Sequence, residues 1–267
     1  MNEMNAKRFD RAGGMQRLGD CAKLARRSFL TLVCVYGPLS RVLGGLSTGT
    51  AKALDLDHGL AQMHNLLVDR PYIGYYRSTR GEMCRVREQD SICQWASERF
   101  AGVSSGEIII WNNDLPDAMA DALSDVAGAV RNEPASIRIR AIYTSGKSKG
   151  QHVPFEQLWR CLAFELHNVD GLKTAAQLMQ QAREGVIERA DFIREEAKLE
   201  YRATKRTKDF YEQVWMPWAS GHSFESDSRY WITEYAHTFE EWLKMVSNGE
   251  YPDEVFGPVY DRLRPPK

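Results

Sequence analysis

The chain has 267 residues, of which 43% are apolar and 27% are charged, a balance that supports a folded core and excludes an intrinsically disordered protein. Its 35 basic and 36 acidic side chains give a formal charge of −1, but the two signs are unevenly distributed. Residues 1–53 hold nine basic and three acidic residues, so 54–267 keep 26 basic and 33 acidic ones. This acidic remainder argues against a nucleic-acid surface, which needs a basic footprint.

The basic N-terminal segment has the features of an export signal peptide. A pair of arginines precedes Ser-Phe-Leu and a short apolar run, which is about half as long as a membrane span requires. Small residues in a small-x-small arrangement follow, as at a signal-peptidase site. These features are carried by Arg26, Arg27, Phe29, Leu30, Ala51 and Ala53. They resemble the twin-arginine signal peptide, which directs folded proteins across the bacterial inner membrane.

That resemblance implies a removable signal over 1–53 and a periplasmic or extracellular protein. The alternatives from the residues alone are an amphipathic N-terminal helix and an uncleaved anchor. No segment of 54–267 approaches the length of a membrane span, so we expect no stable span in the exported chain.

Residues 54–267 are predicted to form one domain, because no repeat or low-complexity linker divides them. The first part mixes helices with a small sheet: helices are predicted over 55–68, 90–100 and 116–130, and strands over 107–111 and 136–143. From Pro154 onward the pattern is almost wholly helical, with helices over 155–169, 172–183, 188–214 and 231–246. This order predicts the α+β class: a small sheet with flanking helices, followed by a mainly helical C-terminal half.

Cysteine usage adds one candidate cross-link. Cys84 and Cys93 enclose eight residues and are predicted to pair as a disulfide in an oxidising compartment, or else to remain free thiols. Cys161 lies within an apolar helical stripe and is predicted to be a buried thiol.

Two carboxylates fall on apolar helix faces. Glu165 is one turn after Leu162 on the most apolar predicted helix, and Glu200 is in step with Ile193 and Ala197 on the next long one. Such carboxylates need a cation, hydrogen-bond donors or a raised pKa. Two of them on neighbouring helices suit acid–base chemistry, whereas an arginine partner would make each purely structural.

The element order and the segment Phe164-Glu165-Leu166-His167-Asn168 resemble a degenerate zincin metallopeptidase of the glutamate-ligand type. The resemblance implies a zincin-like fold with Glu165 as general base and Glu200 at the third-ligand position. In a hydrolase of this kind, His167 and His237 would be further candidates to assist catalysis. Phe164 and Asn168 stand where the family has its two zinc-binding histidines. The segment therefore lacks the usual zinc site, and we predict neither a metal nor a cofactor.

We expect a non-catalytic binding or envelope-associated protein, whose partner would be a cell-envelope polymer or a peptide. The first alternative is a secreted, peptidase-like hydrolase that uses Glu165 and Glu200. The second is a carbohydrate-binding protein with exposed tryptophans, in which Trp215 and Trp218 line a groove; the opposing interpretation places most tryptophans in the core.

Overall fold

A computed structural model describes residues 71–100, 109–111, 122–124, 137–139, 141–143, 146–231, 237–247 and 251–264. The six residues of the predicted export signal and the helix predicted over 55–68 lie outside these ranges. The part of the chain that is described begins with a helical turn, α1 (Pro71–Gly74).

Two small sheets come first. Strands β1 (Tyr75–Arg77) and β2 (Met83–Arg85) pair antiparallel. After helix α2 (Ser91–Phe100), a second sheet has the order β3-β5-β4. It consists of β3 (Ile109–Trp111), β4 (Ala122–Ser124) and β5 (Ile137–Ile139), with β5 parallel to β3 and antiparallel to β4.

These elements confirm the predicted α2 helix and the predicted strands in β3 and β5. The helix predicted over 116–130 is wrong at Ala122–Ser124, which form strand β4. Ala122 pairs with Ile139 and Ser124 with Ile137, so pairing with β5 outweighs the local preference for a helix.

A long helical hairpin forms the centre of the described chain. Helix α3 (Phe155–Glu184) is one continuous helix where two shorter ones were predicted. It ends at Gly185, whose φ of 72° is the left-handed conformation that glycine adopts readily. Helix α4 (Arg189–Phe210) returns after this short connection and packs along α3, as predicted. A π-helical turn (Tyr211–Trp215) and α5 (Met216–Gly221) continue it.

The C-terminal part differs most from the prediction. A 3₁₀ turn (Ser228–Tyr230) is followed by α6 (Phe239–Ser247) and α7 (Asp253–Leu263). Of the helix predicted over 231–246, residues 232–236 lie outside the described ranges, and Trp231, His237 and Thr238 are not helical. A capping box starts α6 at Phe239: the Glu241 carboxylate accepts from the amide of Thr238, whose hydroxyl accepts from the amide of Glu241. Helix α7 was not predicted.

The core has two parts. One is aromatic and joins α3 to the π-helical turn, with Trp159, Trp215 and Trp231 at most 1% exposed. The other lies where α3 and α4 meet α6 and α7. The described chain is therefore a mostly helical α+β arrangement, as the predicted class requires. None of its helices has the length and apolar character needed to cross a membrane.

Candidate functional site

The two predicted carboxylates both point into the α3–α4 interface. Glu165 is 3% exposed and Glu200 is 2% exposed. The side-chain amide of Asn168 donates to Glu165 at 3.1 Å, and the hydroxyl of Tyr251 donates to Glu200. Burial raises the pKa of Glu200 well above its usual range, and the neighbouring Glu165 raises it further. The predicted pairing of inward carboxylates on adjacent helices is thus present, in a sealed environment.

A third buried acid was not predicted. Glu196 lies one turn before Glu200 on α4, is 4% exposed, and has one carboxyl oxygen without a hydrogen-bond partner among the described residues. Burial raises the pKa of Glu196 to about 8. The i−4 spacing from Glu200 is the signal that would have revealed it.

These acids do not form a metal centre. Within the residues that the structure describes, no three His, Cys, Asp or Glu side chains are arranged to hold a metal ion. The donor set agrees with this, since Phe164 has no ligand atom and the amide group of Asn168 already donates to Glu165. Burial thus favours the neutral form of Glu196 and of Glu200.

His167 does not join the acids, contrary to the role given to it above. It follows Glu165 by two positions, about 200° around α3, and therefore lies on the opposite face. There its ring is 5.4 Å from the ring of Trp95 on α2, and its side chain is 3% exposed. It is too far around the helix to help a base at Glu165.

Glu156 is a buried carboxylate of another kind. At the first turn of α3, it is 3% exposed and accepts four hydrogen bonds. The donors are the indoles of Trp215 (3.1 Å) and Trp231 (2.7 Å), the hydroxyl of Ser226 and the amide of Asp227 (2.9 Å). Burial raises the pKa of Glu156, and all four donors oppose this by favouring the ionised form. The carboxylate therefore holds three distant segments together.

The cysteines are separate in this structure. Cys84, half-buried in β2, and Cys93, buried in α2, are free thiols, so the disulfide is not formed here and their pairing remains a prediction. Burial raises the pKa of Cys93, so its thiol stays protonated. Cys161 is buried, as predicted.

The six tryptophans whose side chains are described form no exposed surface, which corrects the interpretation with exposed tryptophans. Of the six whose side chains are described, Trp95 is half-buried and the other five are at most 3% exposed: Trp159, Trp215, Trp218, Trp231 and Trp242. Their apolar area stabilises the core because packing against other rings removes it from water.

An accessible cavity of about 370 Å³ opens between α4, α6 and α7, and we call it the α4–α6–α7 groove. Its walls combine apolar and charged side chains: Arg189, Ala190, Asp191, Ile193, Arg194, Phe239, Leu243, Pro252 and Asp253.

The groove's two arginines are held in place. Arg189 contacts Asp253 at 2.5 Å and Asp261 at 3.0 Å. Arg194 contacts Glu240 at 2.8 Å and lies 5.1 Å from the ring of Phe239. The rim is therefore polar and ordered, while the floor is apolar.

Comparisons with family models, with curated proteins and with solved structures give no match to this chain.

Proposed function

We propose that this is an exported, non-catalytic binding protein whose α4–α6–α7 groove takes a short peptide segment. The observation that carries the proposal is the contrast between this groove and the buried acids. Phe239, Leu243 and Pro252 face an accessible cavity of about 370 Å³. A pocket with an apolar floor and a few ordered polar groups is the common form of a ligand site.

The hydrolase alternative receives less support from the geometry. A general base must reach the proton of a water or substrate in a plausible pose. Glu165 and Glu200 are 3% and 2% exposed, and Tyr251 covers Glu200 with its hydroxyl. Neither carboxylate lines the groove. Their position accordingly favours a structural role.

The groove's chemistry favours a peptide over a sugar polymer. Sugars are bound by exposed aromatic platforms, and Phe239, the aromatic ring in the groove, is itself 9% exposed. The rim carries both signs of charge, with Arg194 opposite in sign to Asp191. Peptides present apolar side chains beside groups of both charges, which matches this floor and rim.

Placing a charge on the groove floor should weaken peptide binding. Leu243→Glu puts a carboxylate among Ile193 and Phe239, where it would lose hydration, so we expect Kd to rise about tenfold or more. Random 12-residue peptides displayed on phage would be selected on the wild type, and the best would be titrated calorimetrically. The matched control is Met245→Glu, an exposed apolar residue on the same helix outside the groove.

The proposal is contradicted if no peptide is selected, or if Leu243→Glu and Met245→Glu bind the best peptide equally well. Circular dichroism spectra would establish that both variants are folded. Should Leu243→Glu unfold, Arg194→Glu alters the rim instead and should weaken the same peptide, since Arg194 is half exposed.

Export is proposed only because residues 1–53 resemble a twin-arginine signal peptide. Replacing Arg26 and Arg27 by lysine should leave an unprocessed precursor inside a bacterial host, because the twin-arginine route reads the arginine pair. Arg8→Lys with Arg11→Lys is the matched control and should be exported normally. Immunoblots of periplasmic and cytoplasmic fractions measure this, and equal export of both variants would refute the proposed localisation.

A further inference from the structure

A cluster of cationic and neutral donors lies where α2, α3 and α4 meet. On one side, the guanidinium carbon of Arg99 is 3.9 Å from the centre of the Trp95 ring, and the ring of His167 is 5.4 Å from the same ring. On the other side, His167 Nδ1 and Arg206 Nη1 lie 3.7 and 3.4 Å from the same Asp170 oxygen. Three helices thus bring Arg99, His167 and Arg206 together around one aromatic ring and one carboxylate.

The buried donors of this cluster are unsatisfied. The side chain of His167 is 3% exposed; Nε2 has no hydrogen-bond partner among the described residues, and Nδ1 has only the long contact of 3.7 Å to Asp170. Nε of Arg99 likewise has no hydrogen-bond partner among the described residues. Buried polar groups without partners are rare and destabilising, so each one points to a missing acceptor.

The charges of the cluster repel one another. Burial lowers the pKa of His167; Asp170 opposes this, while the charges of Arg99 and Arg206 lower the pKa further. Of the two guanidinium groups, Arg206 contacts Asp170, which is 41% exposed, while Arg99 contacts the backbone carbonyl of Trp95. Glu98 also faces Arg99, but the charges that act on His167 are two guanidinium groups and one carboxylate. The charge around His167 is therefore net positive, and an anion there would relieve the repulsion and accept from the unsatisfied donors.

We propose that Arg99, His167 and Arg206 form a binding site for a phosphate-class oxyanion. The two guanidinium groups supply charged donors and the buried imidazole supplies a neutral donor from beneath. Three donor groups can each bond to a separate oxygen of a tetrahedral phosphate, whereas a planar carboxylate offers only two oxygens. Arg206 is 17 residues from Arg189, about 25 Å along α4, so this site is separate from the α4–α6–α7 groove.

The full-length chain would be titrated with inorganic phosphate at constant ionic strength, with sodium chloride as the reference salt. Calorimetry gives Kd, and long-range ¹H–¹⁵N spectra report on the ring nitrogens of His167. We expect phosphate to bind and to shift the His167 ring signals, while chloride does neither. Arg206→Gln should weaken phosphate binding about tenfold or more, since it removes a charged hydrogen bond.

Arg202→Gln is the matched control, because Arg202 is an exposed arginine on the same helix, one turn away. It should leave the phosphate Kd within about twofold of the wild type, a change small on the scale of one charged hydrogen bond. Arg99→Gln is the second test and should weaken binding as Arg206→Gln does. No phosphate binding, no response of the His167 ring, or equal losses in Arg206→Gln and Arg202→Gln would overturn the proposal.

Phosphoserine distinguishes a free anion from an esterified one. Binding of phosphoserine with a Kd close to that of phosphate would support a site that accepts a phosphomonoester. Binding of inorganic phosphate alone would support a closed site for the free anion. Equal binding of acetate and phosphate would contradict the tetrahedral preference.

Discussion

Replacing Glu196 by glutamine should raise the free energy of unfolding at pH 8.5 on the order of 4–5 kcal/mol and leave it almost unchanged at pH 4. Glu196 is 4% exposed and its pKa in the folded chain is raised to about 8 by burial. In the unfolded chain it ionises near the ordinary value of 4.5. Between these two values the folded chain binds more protons, so its stability falls as the pH rises from about 4.5 to about 8.

Glutamine has nearly the shape of protonated glutamate and no proton to lose, so the variant should not show this loss. Urea unfolding of wild type and Glu196→Gln at half-unit steps of pH gives the difference curve. Glu195→Gln is the matched control, because Glu195 is a half-exposed neighbour paired with Lys198 at 2.6 Å. A Glu196→Gln difference that stays flat with pH would contradict the prediction, as would an equal difference in Glu195→Gln.

The same substitution at Glu156 should have the opposite sign. Its carboxylate accepts from two indoles, a hydroxyl and the amide of Asp227. Glutamine would turn one acceptor oxygen into a donor that faces another donor, leaving a buried group unsatisfied. We expect Glu156→Gln to lose about 2–3 kcal/mol of unfolding free energy at pH 7.

Glu225→Gln is the control for this prediction, since Glu225 is exposed and precedes Ser226 in the same segment. It should change the free energy of unfolding by less than about 0.5 kcal/mol. Near-ultraviolet circular dichroism would additionally report on Trp215 and Trp231, whose environment Glu156→Gln disturbs. A stable Glu156→Gln variant with an unchanged aromatic signal would show that the four hydrogen bonds are dispensable.

The contrast between Glu196 and Glu156 shows which features of a buried acid can be predicted from the sequence and which cannot. Helical spacing predicts that Glu165 and Glu200 face the core, and the same rule places Glu196 there. Spacing says nothing of what surrounds a buried acid. The donors to Glu156 lie 59 to 75 residues away along the chain, and the donor to Glu200, Tyr251, lies 51 residues away. Only the tertiary structure brings them together.

The helices and strands also differ in whether a local sequence pattern or a distant pairing determines them. Helices α3 and α4 were predictable because their apolar stripes repeat locally. Strand β4 was not, since Ala122–Ser124 depends on pairing with β5. The α4–α6–α7 groove was not predictable either: it joins Ile193, Phe239 and Asp253 from three helices, one of which, α7, the sequence pattern did not indicate.

The most direct test of the central claim, that Glu196 and Glu200 are neutral parts of the core, is a carboxyl-carbon NMR titration of the glutamates. We predict that the Glu196 signal titrates near pH 8 and that the Glu200 signal titrates well above the ordinary value of 4.5. Titration of both carboxyls near pH 4.5 would mean that they are ionised in the folded protein. That result would contradict the assignment of these acids to the core and return them to consideration as ligands or catalysts.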